Sequence, residues 1–336
     1  MFRTLAGALG DRLHSLPDGE TGARGNWIAW QYGVLAATRG LEPMPVGDRG
    51  YLRSQRVRRA RDAGPIRFGP LGYAQAARES FALFGRLQRE GVIPAGVRFQ
   101  VSLPTPLAPV SVFIDLPDRA AVEPAYEQRL LEELAEIASA IPHERLAIQW
   151  DVAVEVGHLE GVWPAHFTHV GRGIVERLAR LGAAVPRDVE LGYHLCYGDF
   201  GHQHFVTPRD AGCLVELAGA LARMDRTLGW IHMPVPVGWT DPIRFAPLGR
   251  LRLSATTRLY LGVVHQEDGI EGARRRIDLA RAVVPRFGIS TECGWGRRAP
   301  RTIGPLIEQH RALAAPVRDR DGGDLVDPGL YAQPGV

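Results

Sequence analysis

Short apolar segments alternate with amphipathic helical stretches along most of this chain, and that alternation constrains its fold more than any other feature. The apolar segments are Val97–Leu103, Leu146–Val152, Val189–Cys196, Gly229–Met233, Leu259–Val264 and Phe287–Thr291. A shorter one at Ile66–Phe68 and a strand within residues 1–23 bring the expected count to eight. Between them Asn26–Thr38, Tyr73–Glu90, Glu123–Ala140, Gly171–Leu181, Arg209–Leu221, Gly272–Val283 and Thr302–Ala314 carry helical spacing. Strands apolar on both faces belong in a parallel sheet covered by helices. The expectation is therefore an α/β chain forming one (β/α)8 TIM barrel over residues 1–336. A Gly-, Pro- and Arg-rich insertion at about 40–70 and a polar tail over 315–336 elaborate it. A doubly wound open sheet is the alternative, but no GxGxxG follows a first strand.

Composition removes several kinds of chemistry. All 40 basic residues are arginine, so a lysine Schiff base, a lysine general base and a lysine-dependent phosphate loop are excluded. A net charge of +3, with the densest basic run at Arg53–Arg61 and no interleaved aromatics, gives no nucleic-acid signature. No apolar run is long enough to span a bilayer, and the N-terminus lacks a signal-like apolar core. A cytoplasmic location without membrane association is expected. Three cysteines make no disulfide framework. Cys213 falls in an apolar helix as a buried thiol, whereas Cys196 and Cys293 each lie where a strand gives way to a loop.

In a barrel of this kind chemistry sits at the C-terminal ends of the strands, and the polar candidates cluster there. His194 and Cys196 are two apart, hence on one face of a strand. With Cys293 from a later strand end they can converge on one zinc ion. The alternatives are core thiols and a core histidine bonded to Asp151. His265, beside Glu267 and Asp268, is a general acid–base candidate or part of a solvated turn. Asp18 and Glu20 face substrate or cap the next helix. His202 and His204 line the opening or cap a helix. Trp150, Tyr193, Trp239 and Trp295 are candidate aromatic walls, with buried packing as the alternative for each. Arg24, Arg297 and Arg298 lie in loops expected on the same rim, where they could take an anionic group.

His194-Leu195-Cys196-Tyr197, followed by Glu292-Cys293-Gly294 and Arg297-Arg298, resembles the catalytic domain of the cobalamin-independent methionine synthase family. Ile148-Gln149-Trp150-Asp151 is similar to that family's IQxDE strand, and Leu261–His265 to its later glycine-containing strand. The resemblance spans roughly residues 97–310. It implies a methionine synthase or uroporphyrinogen decarboxylase-like barrel, zinc as cofactor, and Asp151 holding a substrate amino group. It also implies a single catalytic module, about half the length of the two-barrel enzymes. His232 stands where the family has a glutamate ligand, making His194, Cys196, His232 and Cys293 the expected metal set. Val152-Ala153-Val154-Glu155 departs from the family's DEPA, and Glu155 joins Asp151 and His265 as a catalytic candidate only if the strand continues. Glu292 is placed with the substrate-binding residues.

Together these features imply a zinc-dependent transferase that moves a methyl or other alkyl group to a small-molecule thiol. A decarboxylase, a zinc lyase or hydrolase of the same barrel type, and a non-catalytic ligand-binding relative are the alternatives. A homodimer is an open expectation.

Overall fold

The computed structural model describes residues 1–45, 55–201, 203–315 and 332–333. Arg53 and His202 lie outside the described residues, as does the C-terminal tail apart from Ala332–Gln333 and its first residue. The chain begins with α1 (Phe2–Leu9), whose Phe2, Leu5, Ala6 and Leu9 share one buried stripe. It continues through β1 (Ser15–Pro17), α2 (Gln31–Ala37), an antiparallel pair β2 (Leu41–Pro43) and β3 (Val57–Arg59), and α3 (Tyr73–Arg89). Next come β4 (Arg98–Pro104), α4 (Leu107–Phe113), α5 (Arg119–Ala140), β5 (Leu146–Val152), α6 (Val154–Leu159) and α7 (Val170–Ala184). The last part holds β6 (Glu190–Leu195), α8 (Gly212–Leu221), β7 (Trp230–Pro234), α9 (Pro242–Phe245) and β8 (Arg258–Val264). After these follow α10 (Gly269–Arg281), β9 (Gly288–Thr291), α11 (Pro300–Leu313) and β10 (Ala332–Gln333).

Strands β1 and β4 to β9 form one curled parallel sheet in that order, and the short β10 extends its edge beside β9. Among the described residues no ladder joins β1 back to the far edge, so the sheet is an open half-barrel there. Seven of the eight expected strand segments are found nearly where the sequence put them, the one within residues 1–23 being β1. Ile66–Phe68 is not a strand; the insertion instead pairs β2 with β3, and Arg58 and Arg59 of the basic run lie on β3 rather than on a helix. The expected helix from Asn26 shortens to α2, because Trp27 takes a left-handed backbone (φ 46°) that a helix cannot contain. The apolar run Val110–Leu116, which from sequence alone could be a strand or the rim of a pocket, begins in the buried helix α4.

Alternation along each strand sorts side chains between two cores. Phe99, Val101, Leu103, Ile148, Trp150, Leu191, Tyr193 and Ile231 face the helices and join one large apolar cluster. The concave face is polar by contrast. Ser15 Oγ donates to Gln100, Gln100 donates to Gln149 Oε1, and Trp230 Nε1 donates to that same oxygen. At the N-terminal strand ends Glu190 receives both Arg98 and Arg258. Gly192 leaves room for this layer, since a Cβ there would lie 1.9 Å from the Trp230 ring.

Candidate metal centre

The residues that could bind a metal are set by register. Asp151, His194 and His232 are consecutive partners across β5, β6 and β7, all on the concave face near the C-terminal ends. Cys196 follows two residues after His194 and keeps its direction, anchored by its backbone N–H to Val152 O. Cys293 arrives from the loop after β9. Gly262 on β8 permits that approach, because a Cβ there would meet the Glu292 backbone at 2.5 Å. Two separate stretches of sequence thus deliver one cluster: the ligand atoms of His194, Cys196 and Cys293 all lie within 4.8 Å of one another. Among the described residues this is the one group of three or more His, Cys, Asp or Glu side chains so arranged.

His232, expected as a fourth ligand, is instead held beside His194. The two rings stack with centroids 4.6 Å apart, and their Nδ1 atoms are 2.5 Å apart. His232 Nε2 is 3.1 Å from Thr291 O and can only donate to a carbonyl. Its Nδ1 is then the acceptor for His194 Nδ1–H. That fixes the His194 tautomer and leaves Nε2 for the thiols. Pairing in register puts His232 alongside the ligand rather than beyond it, which makes it an orienting group.

The charges follow from this geometry. The Cys196 thiol donates toward Cys293 at 3.8 Å. That hydrogen bond and burial keep Cys196 protonated well above the ordinary thiol range. Cys293 is the thiolate of the pair: the Cys196 hydrogen bond lowers it against the cost of burial, with His194 and Arg297 adding to the effect. Arg297 Nη2 lies 3.6 Å from Cys293 Sγ and 3.4 Å from Asp199. Burial disfavours the charged His194 ring, but Cys293 and Asp151 outweigh it and raise its pKa. Burial pushes Asp151 up to about 6 and Asp199 up to about 7. Glu20 reaches about 8 through burial and the neighbouring charges of Asp151 and Asp18.

These groups line a cavity of about 140 Å³ together with His194, Cys196 and Cys293. Its far wall is apolar, built by Trp27, Phe113, Trp163 and Phe205. Asp151 is aimed into it by Gln149 Nε2 at 2.9 Å and by a hydrogen bond from Trp27. Asp199, Trp27, Trp163 and Phe205 were not foreseen, whereas Phe113 belongs to the apolar run for which a pocket rim was one reading. Asp199 sits in a glycine turn, and the wall comes from α4 and loops whose sequence has no distinctive spacing.

Other expected site residues are placed elsewhere. Trp150 and Tyr193 are one position out of phase with Asp151 and His194, so they face the helices, and Tyr193 donates to Leu178 O on α7. Asp18 is tied to Arg24 at 2.7 Å and to Ser80, which leaves both members of that ion pair occupied. Glu155 is on α6, not on a continued strand. It accepts from Thr105, and burial raises it to about 7. Trp239 packs on Phe245, and Trp295 donates to Thr291 Oγ1 while lying edge-on to His310. Glu292 lies 3.1 Å from His204 and 3.8 Å from His265 in a second string of polar groups, and His265 Nε2 donates to Val235 O. None of these residues lines the cavity beside the cysteines. Cys213, expected to be buried, is half-buried on α8.

The donor set fits a zinc ion. With Zn–S near 2.3 Å, the sulfur–sulfur edge of a tetrahedral site is about 3.8 Å; Cys196 and Cys293 are separated by 3.8 Å. A disulfide requires about 2.05 Å. Two thiolates and one imidazole are ligands of the softness that zinc prefers.

No family model and no curated protein matches this chain. Among solved structures it is similar to a protein from Listeria monocytogenes provisionally named a vitamin-B12 independent methionine synthase. That likeness has a TM-score of 0.53 and 14% identity, covering 93% of this chain and 83% of the other. At that identity the likeness is one of fold: an α/β chain with a curled parallel sheet of the methionine-synthase type.

Proposed function

We propose that this chain is a zinc-dependent transferase that moves a methyl or other alkyl group to a small-molecule thiol. It would be a divergent relative of the cobalamin-independent methionine synthases, with the half-barrel as its version of the (β/α)8 barrel. The observation that carries the proposal is the 3.8 Å sulfur–sulfur separation in a triad that opens on a cavity. His194, Cys196 and Cys293 would hold the ion. When bound, zinc would supply stabilisation of a substrate thiolate at neutral pH, since a thiol on zinc is deprotonated.

The chain's own groups supply the rest. His232 orients His194 through Nδ1. Asp151 is fixed by Gln149 and Trp27 where it can accept a proton or hold a substrate ammonium. Glu20, with a pKa of about 8, keeps its proton at neutral pH and is a proton donor on the same cavity. Arg297 balances the charge of Cys293 and Asp199. The apolar wall excludes water from a transferring alkyl group.

Metal analysis tests this reading. The purified chain should contain one equivalent of zinc, lost in both Cys196→Ala and Cys293→Ala. Addition of a substrate thiol should release a proton only from zinc-loaded protein. Retention of the metal by both variants removes the proposed site. Zinc without any thiol response moves the chemistry to water activation.

A further inference from the structure

A second cavity, of about 100 Å³, adjoins the first. Val112, Val154 and Trp163 line both. The second cavity differs in charge. Arg56 and Arg119 line it, and no acidic side chain does so among the described residues. Arg119 is buried at the start of α5, where Nε donates to Ile114 O and Nη2 to Ser111 O. Both bonds go to neutral carbonyls and hold the guanidinium in place, with Asp115 offsetting part of its charge. Asp115 lies 3.9 Å from Arg56 and outside the cavity lining. Burial and the nearby Arg56 lower the Arg119 pKa to about 10, the direction expected of a buried cation with a like charge beside it.

We infer that this second cavity is an anion subsite, and that the two cavities together receive one amphipathic molecule. Its apolar body lies along Val112, Val154 and Trp163, and its carboxylate-type anionic end meets Arg56 and Arg119. A guanidinium whose Nε and one Nη are fixed by the backbone still has N–H groups for an oxyanion, and its planar fork suits carboxylate geometry. The Trp163 ring packs on Phe205 at 4.8 Å, which gives the shared surface an aromatic face. The inference rests on the proposed transfer only in naming this molecule as the alkyl donor. The basic cavity and its position need no metal.

Calorimetry with 4-phenylbutyrate and its neutral amide tests the assignment on the full chain, both zinc-loaded and metal-stripped. A charge-assisted contact should make the acid bind about 10- to 100-fold more tightly than the amide in both forms. Arg56→Gln should reduce that preference several-fold while leaving the amide's affinity unchanged, which also shows that the pocket is folded. Arg297→Gln, in the metal-side cavity, should retain it. Equal affinity for acid and amide, no binding of either, a preference unchanged by Arg56→Gln, or one that Arg297→Gln reduces as much overturns the subsite. A chain that takes up no zinc yet discriminates acid from amide defeats the metal reading alone.

Discussion

The two ends of the concave face are built from similar residues and behave in opposite ways. At the N-terminal strand ends Glu190 is largely enclosed, yet Arg258 and Arg98 overcome the cost of burial and lower its pKa. At the C-terminal ends Asp151, Asp199 and Glu20 are enclosed as well, and there the cost of burial outweighs the neighbouring cations and hydrogen bonds, so all three rise. The floor therefore holds a carboxylate fixed in its charged form. The rim holds carboxyls whose charge is costly, which is the condition in which a proton can be taken up or passed on. Burial alone does not separate structure from function here; the balance between burial and the groups that oppose it does.

Glu190→Leu breaks the satisfied end and should have the largest effect. It strands two guanidiniums and should destabilise the chain by about 3–5 kcal/mol in denaturant titration. A loss below about 1 kcal/mol would mean that solvent already screens the floor. Glu155→Gln probes the same contrast in a buried glutamate that accepts a side-chain hydrogen bond from Thr105. Its folded pKa is raised from 4.5 to about 7. The acid thus costs nothing at pH 4, and the cost grows as pH rises through that window. The glutamine variant should match the parent at pH 4 and exceed it by up to about 3 kcal/mol at pH 8. Equal stability at both pH values would place Glu155 in contact with water. His232→Phe sharpens the rim. Losing the orienting acceptor should weaken zinc binding 10- to 100-fold, about 1–3 kcal/mol, in a chelator competition. Unchanged affinity would mean that His194 needs no such help.

Much of this was readable before any coordinates. The strand–helix alternation located the sheet because parallel strands must be apolar toward their helices. His194, Cys196 and Cys293 could be found because soft ligands at strand ends are rare in a chain with three cysteines. The misplacements have physical reasons. Trp150 and Tyr193 were assigned to the cavity as aromatic residues, although strand parity with Asp151 and His194 already directed them outward. His232 has the right parity and chemistry, but its ring lies against His194 and outside the converging triad of ligand atoms. The wall residues Trp27, Phe113, Trp163 and Phe205 come from a strained turn, a helix with no polar face and two loops, none of which carries a period. Asp199 shows its role only when the loop folds back on Arg297.

The hydrogen bond from His232 on β7 to Thr291 O on β9 passes over the strand between them. It is possible only while the sheet is bent, since neighbouring strands are about 4.8 Å apart and a flat sheet would put the carbonyl out of reach. The aim of His194 therefore depends on how tightly the half-barrel is wound. Any motion or substitution that unrolls the wall between β7 and β9 would turn the imidazole away from the sulfurs without touching a single ligand.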